Sequence, residues 1–417
     1  MIKKFDLIIF NLLFILIPVS IILGPTISLI NISLLILFYL IKYLKKDHLQ
    51  SFLRNRTLVS LFLLNIYLVF NTLISIEPLN GILRNIGFIR LILLFIAINY
   101  FFYINNYNFT QLKIWSFFLI FVVFDVYFER IYGTNIFGFG SMDLVYGPRV
   151  VSFFKDEPIA GAYIVGFLFI IIGFSSEIYK NKNGFIKTTP LFLLLIFLTS
   201  VLITGERSNA IKATFGFLLF LFFLDFIKVK FRLLLVFSFI GVCFITINQS
   251  DYLKNRYVKQ LYNLFFSSDK IAQHDLKGNQ YLKLYKSGLS VFKRNLVFGV
   301  GNKNYRVETC NEEKHDKFNY YCSTHPHQIY IEFLSEHGIV GTTISLSIFF
   351  FIIFRILRPI IDNKNYIQIG AFIFILINFL PIIPSGAFFS DFNITFFMLN
   401  LSLMYAVSNK TNIFEKN

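Results

Sequence analysis

The sequence predicts an all-α, polytopic membrane protein with about twelve transmembrane helices and one large, mostly helical external loop late in the chain. Three observations lead there. Apolar residues make up 56% of the 417 and charged residues only 15%, against about 25% charged in a soluble domain. The apolar residues fall in successive runs of about the length that crosses a bilayer. Charges of both signs, by contrast, concentrate between Gln249 and His337. The formal net charge of +16 is explained by basic loops on one face of a membrane and by contact with anionic lipid. Membrane lipid is therefore an expected partner and nucleic acid is not.

The spans are read at 6–22, 26–43, 57–75, 86–104, 111–128, 158–176, 188–204, 209–226, 231–248, 338–357, 366–382 and 390–407. Gly24-Pro25 is the only break between the first two, yet their combined length is too great for one crossing. The first run leads into the second without a small-residue cleavage site, so it is expected to stay as a span. This gives three regions. Residues 1–248 hold nine spans and a short external segment near 129–157. Residues 249–337 form the large external loop, and 338–417 carry the last three spans. Lys3, Lys4, Lys42, Lys45, Lys46, Arg54 and Arg56 begin a series of basic residues that all fall on one side. That bias puts both termini in the cytoplasm and the large loop outside. Within the loop, Leu253, Tyr257, Leu261 and Leu264 make 251–266 a candidate amphipathic helix, and Leu282, Tyr285, Leu289 and Phe292 do the same for 280–294. Each would lie on the outer bilayer surface or pack on the protein.

Ionisable residues inside spans are costly and call for a partner or a function. Arg90, Asp125 and Lys212 are the main ones, each about 6–8 Å below the outer surface at 1.5 Å per residue. Arg207 lies at the head of the eighth span in Gly205-Glu-Arg-Ser-Asn209, where Ser208 or Asn209 could cap the helix. Arg149 lies in Gly147-Pro-Arg-Val-Val151. The basic members share one side and one depth, which suits a cradle for a lipid diphosphate with guanidinium forks as donors. Snorkelling and local ion pairs, such as Arg90 with Asp125, account for them individually.

The stretch Ser323-Thr-His-Pro-His-Gln-Ile-Tyr-Ile-Glu-Phe-Leu-Ser-Glu-His-Gly338 closes the external loop. Pro326 suits a first helical turn. His327, Tyr330, Ile331 and Leu334 fall at i, i+3, i+4 and i+7, and Gly338 is a stop signal. The expected element is a short helix from His327 to His337 with an imidazole at its N-terminal tip. The partial positive charge there favours a neutral ring and attracts anions. Such a ring suits a base that deprotonates a sugar hydroxyl beside a phosphate leaving group. A surface histidine capping a loop helix fits the same spacing. His325 is the weaker of the two histidine candidates and a candidate N-cap. Glu332 and Glu336 either orient nearby basic groups or face solvent.

Cys310 and Cys322 fall in the external loop, twelve residues apart, and are expected to pair. Closing so short a loop adds about 2–3 kcal/mol of local stability. A metal site from Cys310, His315, Cys322 and His325 matches no standard zinc spacing, and no metal is expected. Gly299-Val-Gly-Asn-Lys-Asn304 lacks the Walker spacing and reads as a tight turn.

Asn295-Leu-Val-Phe-Gly-Val-Gly-Asn-Lys-Asn-Tyr305, Thr324 through Gly341 and Gly205-Glu-Arg-Ser-Asn209 resemble three blocks of the O-antigen ligase/polymerase superfamily of bacterial envelope glycosyltransferases. Arg149 through Pro158 is a weaker fourth match. The likeness covers about 145–345 in strength, and the first five spans in topology alone. It implies an inner-membrane enzyme whose periplasmic loop caps a cavity open to the outer leaflet. The donor would be a glycan on undecaprenyl diphosphate, transferred with inversion and without metal or other cofactor. Carried over, His327 matches the catalytic histidine, and Arg207 and Arg149 match the phosphate-binding arginines, with Arg90 and Lys212 in support. His325, Arg306 and Glu336 are supporting candidates. Gln328 stands where the family has Asn. The family's loop arginine has no counterpart, its aligned positions being Tyr281 and Tyr285, and Arg306 or Lys283 is the candidate substitute.

The reaction expected is transfer of the glycan to a sugar hydroxyl: of lipid A–core for a ligase, of another lipid-linked repeat for a polymerase. Twelve spans and one dominant late loop favour the ligase. A lipid-linked-sugar transporter or flippase would instead carry polar residues at the bilayer midplane and pseudo-symmetric halves. A structural or sensory membrane protein would leave transfer indifferent to His327.

Overall fold

The computed structural model describes residues 4–140, 148–155, 157–260, 262, 280–318 and 320–415. Among the described residues there are helices and no strands. Seven helices are long and apolar enough to cross a membrane: Pro25–Lys42, Arg56–Leu73, Pro78–Ile104, Ala160–Tyr179, Gly184–Ile203, Val229–Asn248 and Ile329–Asn363. Phe5–Ile15 and Tyr366–Asn378 are shorter apolar helices. The reading of twelve spans thus meets seven helices of spanning length. The remaining segments read as spans are helical too, but shorter, broken or more polar; Lys4–Ile15 and Ile17–Ile22, for example, part at Leu16.

The most enclosed of the seven is Ala160–Tyr179. It packs along Tyr366–Asn378 and is pinned to Asp391–Ala406 by Asn400, whose amide donates to the Gly166 carbonyl at 3.0 Å. Val229–Asn248 lies at the other extreme, with only Leu235 and Phe239 buried. An apolar helix with so little protein around it is suited to lipid contact.

Hydrogen bonds sort the helix ends into two groups. At one end Glu177 accepts from the Tyr366 backbone N–H at 2.7 Å, while Asp225 binds both Lys364 and the Tyr366 hydroxyl. Lys180 lies over the Tyr366 ring and Lys187 over Phe226. At the other end the close of Arg56–Leu73, the Pro78–Gly87 helix, the head of Arg207–Phe223 and the segment 379–390 meet described residues of the stretch 249–337. This second end carries the site.

Of the helix expected over 251–266, Asp251–Lys254 is α-helical and Asn255–Lys259 a π turn; Leu261 and Leu264 lie outside the described residues. Gln280–Arg294 is a helix as expected, but its buried face is Leu284, Ser287, Gly288 and Val291. Leu282 and Leu289 stay exposed. Of the face that looks amphipathic in sequence, Tyr285 and Phe292 are half-buried, the Tyr285 hydroxyl donating to the Ile382 carbonyl at 3.1 Å, while Ser287 is drawn inward, accepting from the Tyr305 hydroxyl at 2.9 Å and the Tyr321 N–H at 3.0 Å.

Candidate active site

The site is built on a break in one long helix. Ile329–Asn363 is interrupted at Gly338, with φ 63° and ψ −168°, a region open in practice to glycine alone. A Cβ on Gly338 would lie 2.3 Å from the Val297 carbonyl oxygen. The turn over 295–305 fills the notch. Val300 N–H donates to the Ser335 carbonyl at 3.0 Å and Gly301 N–H to the Glu336 carbonyl at 2.8 Å. Beyond the break, Ile339 and Val340 donate to Leu296 and Val297. Gly299 and Gly301 both take positive φ, so the glycine-rich motif is a tight turn, as its composition suggests, and its purpose is to lie backbone-to-backbone on the kink.

Asparagines hold the turn from below. Asn71 donates to the Phe298 carbonyl at 3.0 Å and accepts from Asn302 N–H at 2.9 Å. Asn302 donates to Asn85, and Asn304 accepts from Glu77 N–H at 2.8 Å. Each such pair satisfies a buried polar group that would otherwise cost about 1–3 kcal/mol. The buried carboxylates do the same work. Glu336 accepts from the backbone N–H groups of Lys303 and Tyr305. Glu332 accepts from Phe388 N–H with both oxygens, at 2.9 and 3.1 Å. Neither faces solvent.

The helix expected from His327 starts instead at Ile329. Gln328 is its N-cap, the side chain accepting from Ile331 N–H at 2.8 Å; neither His325 nor His327 caps it. His327 sits just outside with φ 56°, and its carbonyl accepts from Ser385 N–H at 2.9 Å. The left-handed backbone turns the imidazole onto its neighbour: the rings of His325 and His327 are 3.9 Å apart between centroids, with Tyr281 edge-on to His327. His325 Nδ1 meets the Thr324 hydroxyl at 2.9 Å. Its buried Nε2 has no partner among the described residues. Burial, then the His327 ring and the Lys303 ammonium, push His325 down to about 3. Burial likewise lowers His327. Both rings are therefore neutral at ordinary pH, each with basic lone-pair capacity.

A second group of charges surrounds Glu206. Its carboxylate accepts from Gly161 N–H at 2.6 Å, Ala162 N–H at 3.2 Å and the Asn209 amide at 2.6 Å. Asn209 is thus bound to the N-cap residue rather than being the cap, and Glu206 itself caps the neighbouring helix 160–179. Burial raises the Glu206 carboxyl to about 7, against the pull of these donors and of Arg149. Burial first, and then the nearby charges of Arg149 and Arg207, lower the hold of Arg256 on its proton, which places the three guanidinium groups near one another. Arg256 Nε donates to the Gly205 carbonyl, which fixes it at the head of the Arg207–Phe223 helix. Three guanidinium groups against one buried carboxylate leave an excess of positive charge, suited to an anion with several oxygens.

Arg90 and Lys212 stand apart from that cluster in their bonding. Arg90 is paired with Asp391, which also takes Arg84 at 3.2 Å. The ion pair expected with Asp125 is not formed. Asp125 instead binds the Ser152 hydroxyl and Ile136 N–H, because its own helix turns back through residues 133–140 and brings these donors over it. Lys212 reaches Asn378 Oδ1 at 3.5 Å. From Asn378 the chain runs past Ser385, which holds His327, to Asp391, so one segment bridges the lysine, the histidines and Arg90. Arg306 is exposed, two residues beyond Asn304. Cys310 and Cys322 are joined by a disulfide, which removes both thiolates from any metal set; the His315 side chain lies outside the described residues. Among the described residues no three His, Cys, Asp or Glu side chains group as metal ligands.

Three contributors escape a reading of the sequence: Arg256, Lys303 and Asp391. Lys303 had a signal, being one of the few non-glycine residues with positive φ (69°), but it becomes visible only once the turn is folded.

Apolar helices of spanning length, with a half-buried histidine pair and a basic cluster beyond their ends, are the features of a membrane protein. Residues 192–346 match the family model described as O-antigen ligase, which supports the resemblance of this part of the chain to the O-antigen ligase/polymerase superfamily. The matched stretch contains Arg207, Arg256, the 295–305 turn and both histidines; Arg149 lies before it. No curated protein matches the chain.

Proposed function

We propose that the protein is an inverting glycosyltransferase of the O-antigen ligase type, working at the periplasmic face of the bacterial inner membrane. It moves a glycan from undecaprenyl diphosphate to a sugar hydroxyl of lipid A–core. What carries this reading is the gathering, at one end of the bundle, of a neutral histidine pair and three guanidinium groups. His327 takes the proton of the acceptor hydroxyl as its oxygen bonds to the anomeric carbon. The bond from that carbon to the diphosphate oxygen breaks on the opposite face, and the configuration inverts. The charge that develops on the leaving diphosphate is met by Arg207, Arg149 and Arg256, preorganised around Glu206. Lys212 and Arg90 line the same end. The donor bond supplies the driving force, so no nucleotide is consumed. Arg256 takes the role of the family's loop arginine, whose aligned positions are tyrosines here.

Purified protein given an undecaprenyl-diphosphate glycan should glycosylate lipid A–core. Product formed only on a second lipid-linked repeat makes it a polymerase, and no product on either acceptor overturns the transferase reading. Arg207→Lys keeps the charge but loses the fork. Donor affinity should fall by about tenfold, the worth of one charge-assisted hydrogen bond, with the thermal midpoint nearly unchanged. Unaltered affinity would count against the diphosphate role.

The lowered histidines fix a pH dependence. The base must be neutral, and burial lowers His327 from the usual histidine value near 6.5, so its ring stays neutral at that pH. The transfer rate should therefore stay level from neutral pH through 6.5 and fall only in more acid buffer. An acid limb centred between pH 6 and 7 would mean that the base titrates as an ordinary exposed histidine.

A further inference from the structure

A cleft of about 580 Å³ is lined by Glu77, Asn80, Lys303, Arg306, Cys310 and Asn311. It lies between the start of the Pro78–Gly87 helix and the short helix Tyr305–Thr309. Both walls are fixed. Glu77 is tied to the turn by its N–H on Asn304. Cys310 is tied by the disulfide to Cys322, three residues before His325. The rear of the cleft is thus stapled to the histidine segment itself.

Its chemistry is that of a sugar site with a charge preference. Asn80, Asn311 and the Glu77 carboxylate offer the donors and acceptors that pair with hydroxyls; Asn80 already donates to Glu77 at 2.7 Å. In the lining Lys303 and Arg306 face one carboxylate, Glu77, while the buried Glu336 and Glu332 lie behind Lys303. Lys303 is held in place by its own strained backbone and by Glu336, which accepts its N–H. It faces the cleft while its charge reaches His325. Lys303 and the Cys310–Cys322 disulfide thus connect the cleft to the segment that carries His325 and His327. Its walls come from different elements than the Arg149, Arg207 and Arg256 cluster.

We propose that this cleft is the acceptor subsite and that it selects an acidic sugar, one bearing a carboxylate that Lys303 and Arg306 meet together. The assignment of the occupant as acceptor rests on the transferase reading; the selectivity for an acidic sugar does not. Binding can be measured without turnover. Protein in lipid nanodiscs is titrated with a hyaluronan tetrasaccharide, which carries glucuronate, and with uncharged chitotetraose. The acidic sugar should bind more tightly. Arg306→Gln, at an exposed position with no part in folding contacts, should weaken it about fivefold, the worth of one partly solvated ion pair, and leave chitotetraose unchanged. Lys303→Gln should do the same or more. Equal affinity for the two sugars, or an Arg306→Gln protein that binds the acidic one like wild type, overturns the cleft assignment whatever the transfer assay gives. Loss of transfer chemistry with the selectivity intact overturns the transferase reading and leaves the cleft standing.

Discussion

Replacing His327 with alanine is expected to slow glycan transfer by about 10²–10⁴-fold, the range for removing a general base. The site gives no ready substitute. His325 is the nearest imidazole, but its Nδ1 is engaged by Thr324 and it is pushed down to about 3, which makes it a weak base. The choice of replacement matters because His327 adopts φ 56°. Alanine pays for that conformation, whereas asparagine tolerates it. His327→Asn therefore removes the base and keeps the loop, with the Ser385 N–H still donating to its carbonyl. Equal losses in the two variants, with circular dichroism and thermal midpoint like wild type, are the expected result. A loss in alanine but not in asparagine would reassign His327 to a backbone role.

Gly338→Ala should have the largest effect on folding. The backbone there is in a region that costs a side chain about 1–3 kcal/mol. The added Cβ would also meet the Val297 carbonyl at 2.3 Å and Gly299 N at 2.6 Å, an overpacking of about 1–3 kcal/mol. Neither contact is the tip of a flexible side chain, so nothing relaxes cheaply. The turn over 295–305 would lift from the kink, and with it the Glu336 acceptor that orders Lys303 and Tyr305. Thermal unfolding in detergent should shift down strongly. Limited proteolysis should open the chain near 295–305 before the apolar helices are touched. A Gly338→Ala protein as stable and protease-resistant as wild type would show that the kink does not need glycine.

Much of this was legible in the sequence, for identifiable reasons. Apolar runs of spanning length reflect the solvent and not the neighbours, so the helices at 25–42, 56–73, 160–179 and 229–248 follow from composition. Gly338 and the Gly299–Gly301 turn follow from backbone chemistry that only glycine permits. His327 follows from its place between Pro326 and an apolar helix, but its ring contact with His325 across that proline does not follow from the spacing. Pairing partners were not legible. Arg90 pairs with Asp391, some three hundred residues away, and nothing local distinguishes that aspartate from Asp125. The start of the helix at Ile329 depends on whether Gln328 folds back to cap it, a choice that a face-by-face count of apolar positions does not see. The buried face of Gln280–Arg294 is set by Ser287, a polar residue that a hydrophobic pattern ignores. Arg256 belongs to the basic cluster only because its π turn folds onto the Gly205 carbonyl, and Glu206 reads as one more loop carboxylate until helix 160–179 is seen to end on it.

The most direct test is a single-turnover transfer experiment in nanodiscs, with saturating undecaprenyl-diphosphate glycan and lipid A–core, comparing wild type with His327→Asn. The account expects glycosylated lipid A–core and free undecaprenyl diphosphate to appear together in wild type. In the variant the same donor affinity should accompany a rate lower by about two orders of magnitude or more. A folded His327→Asn protein that turns over at the wild-type rate would contradict it.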